Sequence, residues 1–115
     1  MADRVFQSSD FLRPSDEEPI RSVIDQTNDA VVIAWCVKPQ QRLHPHIHPN
    51  GQDTWIIQAG EGQYLMDQAG TTRPIKVGDV VVARAGQVHG VLSTGPEPLV
   101  FVSIVSPANA GFEPI

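Results

Sequence analysis

Ten prolines and nine glycines are scattered through 115 residues, leaving only short runs rich in Val and Ile between them. Such punctuation leaves little room for a helix. No window repeats apolar residues at helical spacing beyond what a strand would give. The runs are Arg21–Asp25, Ala30–Lys38, Arg42–His48, Asp53–Ala59, Gln63–Asp67, Thr72–Lys76, Asp79–Arg84, Val88–Ser93 and Leu99–Val105. Turn-forming breaks separate them, among them Asn28-Asp29, Asn50-Gly51, Gly60–Gly62 and Ala85-Gly86. Strands of this length at this spacing predict an all-β sandwich or barrel.

The length fits one domain, with residues 20–115 forming the β domain. Residues 1–19 are polar and irregular, with Pro14, Pro19 and the acidic cluster Asp16, Glu17, Glu18. They read as an N-terminal arm that drapes over the domain or crosses to a partner, or as a frayed tail; the sequence does not decide. Asp and Glu outnumber Lys and Arg by 13 to 8. That balance argues against nucleic acid, whose binding is dominated by neutralising phosphates. It argues equally against an anionic membrane surface. Cys36 is the only cysteine, so no internal disulfide forms and nothing favours an oxidising compartment. Met1–Asp10 has no apolar stretch of signal-peptide length, and the longest apolar run, Ala30–Val37, is too short to span a bilayer. A cytoplasmic protein is the plain expectation.

Three of the four histidines crowd into the run His44-Pro-His-Ile-His48, and the fourth is His89. Strand alternation points His44, His46 and His48 to one face. Imidazoles two residues apart on a strand can converge on one ion, and imidazole is the commonest ligand for transition metals. A solvated histidine patch is the plainer alternative. Asp53 follows the turn Asn50-Gly51 and opens the apolar run of Trp55, Ile56 and Ile57. Asp is poorly suited to a strand, so this one either caps the turn or faces a cation.

These residues resemble the cupin family. Its first motif runs His-x-His, three or four residues, an acidic residue, six residues, Gly; His46, His48, Asp53 and Gly60 fall on it. Its second motif is Gly, five residues, Pro-x-Gly, two residues, His, three residues, Asn; Gly78, Gly86 and His89 match. The two motifs cover about residues 46–93. Three positions depart from the pattern. Asp53 replaces the usual Glu and is one methylene shorter, which leaves Gln52 as another candidate donor. Arg84 stands for Pro and Ser93 for Asn. Arg84 reads as a solvent-exposed turn residue.

The resemblance implies a cupin-type double-stranded β-helix, or jelly-roll barrel. It implies one divalent transition metal near a mouth of the barrel, held by His46, His48, His89 and Asp53. Small cupins are often dimers that exchange or pack N-terminal strands, so a homodimer is expected. Such a mixed nitrogen and oxygen set suits Fe, Mn, Ni, Cu or Zn, and ligand type alone does not choose among them. The absence of nearby thiolates argues against structural zinc. Cys36 reads as a small buried hydrophobe.

Trp55 and Ile57 share the parity of Asp53, and Val91 that of His89, so an apolar interior with one metal would suit a small-molecule ligand or substrate. Gln63 and Tyr64 have opposite parity, and Tyr64 is the natural proton donor if it faces inward. Fold alone does not give function. Three readings stand: a metal-dependent enzyme such as a dioxygenase or isomerase, a non-catalytic small-molecule-binding module, and a metal-free structural barrel. No catalytic base beyond the ligand set is evident.

Overall fold

The computed structural model describes residues 3–115. Among them are ten strands: β1 (Ser22–Gln26), β2 (Val31–Val37), β3 (Arg42–Ile47), β4 (Gln52–Ala59), β5 (Glu61–Leu65), β6 (Thr72–Lys76), β7 (Val80–Ala83), β8 (His89–Ser93), β9 (Leu99–Ser106) and β10 (Glu113–Pro114). They form two antiparallel five-stranded sheets, in the orders β1-β2-β9-β4-β7 and β10-β3-β8-β5-β6. This is the all-β, double-stranded β-helix architecture expected from the sequence.

The first nine strands lie on the nine apolar runs, with ends shifted by one or two residues. The largest revision is at β5, which starts at Glu61 rather than Gln63. Gly60 alone reverses the chain there, with φ at +77°. A Cβ on Gly60 would collide with the Pro98 carbonyl and stand 2.8 Å from Leu99 Cα. Only glycine satisfies both demands. The short β10 and a single 3-10 turn, Ser8–Phe11, have no counterpart among the expected runs.

Alternation along the strands builds the core. On β9, Leu99, Phe101, Ser103 and Val105 are buried in turn; on β4, Asp53, Trp55 and Ile57 are. Between the sheets, Val37, Trp55, Ile57, Tyr64, Ile75, Val91, Leu99 and Phe101 form one apolar cluster. The indole of Trp55 stacks on Phe101, ring centroids 4.4 Å apart. A smaller cluster of Val31, Ile33, Val105 and Ala110 lies apart from it.

Strand β2 breaks the alternation, since Ala34 and Cys36 are buried as well as Ile33 and Val37. The Ser8–Phe11 turn packs on β1 and β2. Burial pushes the Cys36 thiol up, as for a small core hydrophobe. Residues 3–19 lie along the domain of the same chain. Gln41 Nε2 donates to the carbonyls of Ser15 and Glu17, each at 2.7 Å, and Lys38 pairs with Asp16.

Candidate metal centre

Three strands from two sheets bring the site together. His46 on β3 and His89 on β8 face each other directly in the ladder. His48 lies just past the end of β3, and Asp53 reaches in from β4 on the other sheet. His46, His48, Asp53 and His89 are all buried, and each offers one donor atom within 4.8 Å of the others. A cation with bonds of about 2.1 Å accepts donors up to about 4.2 Å apart. The set therefore fits such an ion after a contraction of a few tenths of an ångström.

The surroundings aim the donors. His46 Nδ1 donates to the His44 carbonyl at 2.8 Å, and His48 Nδ1 donates to the Gly111 carbonyl at 2.7 Å. A carbonyl accepts only, so each ring carries its proton on Nδ1 and turns a bare Nε2 inward. Gly111 has φ +84°, a conformation that favours glycine. His89 Nδ1 instead meets the Tyr64 hydroxyl at 3.1 Å. Asp53 is held twice: Trp55 Nε1 donates to Oδ2 at 3.0 Å, and Ser103 Oγ donates to Oδ1 at 2.5 Å. The Nε2 atoms of His48 and His89 each stand 3.3 Å from Asp53 Oδ2. Neither makes an aligned hydrogen bond, so two buried ring nitrogens are left without partners. Such orphans are rare in native interiors, and an ion between the donors would satisfy both; Ser93 Oγ, at the other end of β8, is a third buried atom without a partner.

Burial sets the protonation pattern first. It drives the His46 imidazole down to about 4, reinforced by the neighbouring His89. For His48 burial also pulls downward, but the Asp53 carboxylate and the Gly111 carbonyl outweigh it and the pKa rises. For Asp53 burial pulls upward, yet the His48 and His89 imidazoles and the Ser103 hydroxyl hold the carboxyl well below the usual range. Burial, with the Asp53 charge, pushes the Tyr64 phenol well up, so it keeps its proton. An ionised Asp53 and a neutral His46 are the states a cation needs, and a cation would have to displace the proton that Asp53 favours on His48.

The other residues singled out by sequence fall as follows. His44 does not share the face of His46 and His48: it points outward and meets Glu18, Nε2 to Oε2 3.2 Å. The pairing of β3 with β8 shifts between Leu43 and His46. Pro45, with no N–H to donate, sits in that shift, so strict alternation fails there. Gln52 opens β4 and points away from Asp53, which leaves Asp53 as the inward donor. Arg84 is exposed in its turn. Ser93 is fully buried at the other end of β8. Trp55, Ile57 and Val91 line the interior, and of the pair Gln63 and Tyr64 it is Tyr64 that faces in.

A cavity of about 590 Å³ opens beside the four donors. Ile33, Trp35, Val105 and Ala108 give it apolar walls, and Arg21, Asn109 and Phe112 add to its lining. Sequence reasoning missed Arg21, Trp35, Phe112 and the positioning groups Ser103 and Gly111. Only Ser103 carried a signal: it is a polar residue on the inward parity of Phe101 and Val105. Phe112 lies with its ring centroid 4.9 Å from that of His46.

Residues 34–105, more than half the chain, match the family model described as a cupin domain. The chain belongs to the cupin family. A crystal structure of an uncharacterised conserved protein with a double-stranded β-helix domain, from Klebsiella pneumoniae, is 47% identical. It superposes with a TM-score of 0.95, over 98% of this chain and 97% of that one. The polyketide cyclase RemF from Streptomyces resistomycificus shares the fold at 17% identity, with a TM-score of 0.79 over 100% of this cupin and 86% of that chain. KdgF from a Halomonas species does so at 21% identity, with a TM-score of 0.71 over 83% and 84%. Among curated proteins, none matches this cupin's sequence. Among its described residues, no helix is long and apolar enough to cross a membrane.

Proposed function

We propose that His46, His48, His89 and Asp53 hold one divalent transition metal, and that the protein is an enzyme acting on a small organic molecule in the adjoining cavity. One observation carries this reading. The Nε2 atoms of His48 and His89 are buried without a hydrogen-bond partner, while their Nδ1 atoms are engaged by the protein. A metal-free barrel would leave both nitrogens unsatisfied, at a cost of about 1–3 kcal/mol each.

Bound there, a metal of the Fe, Mn, Ni, Cu or Zn group would supply Lewis-acid or redox chemistry at coordination positions the four residues do not fill. The chain's own contribution is placement. The Gly111 and His44 carbonyls and the Tyr64 hydroxyl fix the ring orientations. Trp55 and Ser103 fix Asp53. The apolar walls beside the donors suit the non-polar part of an organic ligand. Tyr64 does not line the cavity, so its role is to position His89 rather than to pass a proton to substrate.

Elemental analysis of wild type beside His89→Ala, both shown folded by circular dichroism, tests the site. About one equivalent of metal in wild type, lost in the variant, is expected. No metal in either, after reconstitution with each candidate ion, would overturn it. Turnover separates enzyme from carrier: saturable stabilisation by a ligand with no product formed would make the cavity a binding module.

A further inference from the structure

The charged groups around the cavity are unevenly committed. Asp53 is the only carboxylate in its lining, and it is engaged by Trp55 and Ser103. Arg21 is the only lysine or arginine in that lining. In a chain with 13 acidic residues, its guanidinium makes no ion pair or hydrogen bond among the described residues. Among the described residues Lys38, paired with Asp16, is the only lysine or arginine in an ion pair, so what sets Arg21 apart is its place on the cavity lining. The charge the cavity offers a ligand from its rim is therefore positive. It sits on the side chain that grips carboxylates with two parallel N–H donors. The remaining walls are apolar and include the aromatic rings of Trp35 and Phe112. Phe112 is 63% exposed, a large apolar ring left in contact with solvent.

We infer that this cupin takes a small aromatic carboxylic acid, with Arg21 as the specificity residue that holds the carboxylate. The acid's ring lies against the apolar walls, between the rim and the four donors. A volume of about 590 Å³ is within the range of small-molecule sites and accommodates one ring with a short side chain. Offset or edge-on packing against Trp35 and Phe112 favours a flat ring over an aliphatic body. Arg21 is exposed and precedes β1, so its replacement leaves the core untouched. The inference takes from the proposed function that this cavity is the ligand site, and it does not require the metal to be bound.

Isothermal titration of the full chain, reconstituted with Zn(II), against phenylacetate and against its neutral isostere phenylacetamide provides the test. Wild type should bind the acid about tenfold more tightly, as one charge-assisted contact at an open rim gives. In metal-free Arg21→Gln, where no open coordination position takes the carboxylate, the two affinities should become equal, with the melting temperature unchanged. Arg21→Lys should keep part of the preference. Equal binding of acid and amide by wild type, no binding of either, or a preference that survives in metal-free Arg21→Gln would overturn the inference. Repeating the titration without metal separates the two claims. An Arg21-dependent preference in a protein that takes up no metal would sink the metal centre and leave this inference standing. Metal uptake, with a preference that is independent of Arg21 in the metal-free protein, would do the reverse.

Discussion

The two ends of the barrel are built from the same strands and differ in what faces inward. Along β4 the inward residues run Asp53, Trp55, Ile57; along β9, from the opposite direction, Val105, Ser103, Phe101, Leu99. At one end each strand contributes a polar group, and two residues on it contributes a large apolar one. The apolar end is a filled cluster containing Trp55, Phe101 and Leu99, all nearly fully buried. The polar end has a cavity and two unpartnered nitrogens. Apolar packing is concentrated at the first end and the proposed metal centre at the second, so damage to each should be separable.

The largest effect should come from the filled end. Phe101→Ala should cost about 3–5 kcal/mol, the usual range for an aromatic removed from a packed core. Urea melts measure it, and a loss below 1 kcal/mol would mean the core is not where the fold is held. His89→Ala should abolish metal binding while moving the melt of the metal-free protein far less than Phe101→Ala does. Equal destabilisation by the two would erase the distinction between the ends.

Acid should sharpen the contrast, because the buried His46, His48 and Asp53 all lie at the polar end. The His46 pKa is depressed to about 4, against about 6.5 unfolded, so the unfolded chain binds the extra proton between those values. Metal-free stability should thus fall as pH drops from about 6.5 to 4, by about 3 kcal/mol from this group. His48 acts oppositely: its raised pKa gives stability that is present below about 6.5 and lost as pH rises through the folded value. Asp53, depressed, contributes above the ordinary carboxylate range and loses that contribution only in strong acid. The metal-free protein should therefore be most stable near neutral pH, and melts at graded pH check this. Metal affinity should weaken as pH falls, first as His48, whose pKa is raised, takes a proton and then near pH 4 as His46 does. Undiminished occupancy at pH 5 would count against a three-histidine site.

Smaller effects probe the support of the site. Tyr64→Phe removes the hydroxyl that positions His89 and should weaken metal binding about tenfold, the low end for an outer contact. Competition with a calibrated chelator gives that number. His44→Ala should change metal content not at all, since His44 faces solvent and Glu18. Damage equal to that of His46→Ala would mean β3 is paired two residues out of register.

The sequence was most informative where local chemistry repeats at short range. Alternation on β4 marked Asp53, Trp55 and Ile57 as one inward row, and the glycine and proline breaks marked nine strands within two residues. It was least informative where position depends on distant backbone. The outward turn of His44 follows from a register shift against β8, which pattern reasoning on β3 alone cannot detect. Trp35 lies on a strand buried on both faces, so no alternation singled it out. Phe112 is a lone aromatic in the irregular stretch after β9, placed beside His46 only by the pairing of β10 with β3.

The bond from His48 to the Gly111 carbonyl joins residues 63 positions apart. All four donor side chains have been synthesised once residue 89 is made, yet the group that turns His48 toward them comes 22 residues later. A chain leaving the ribosome therefore carries a full complement of ligands before it carries the means to point them. Any discrimination between ions by the proposed centre, in so far as it depended on a rigid cage, would begin only when the segment after β9 has folded back over the mouth of the barrel.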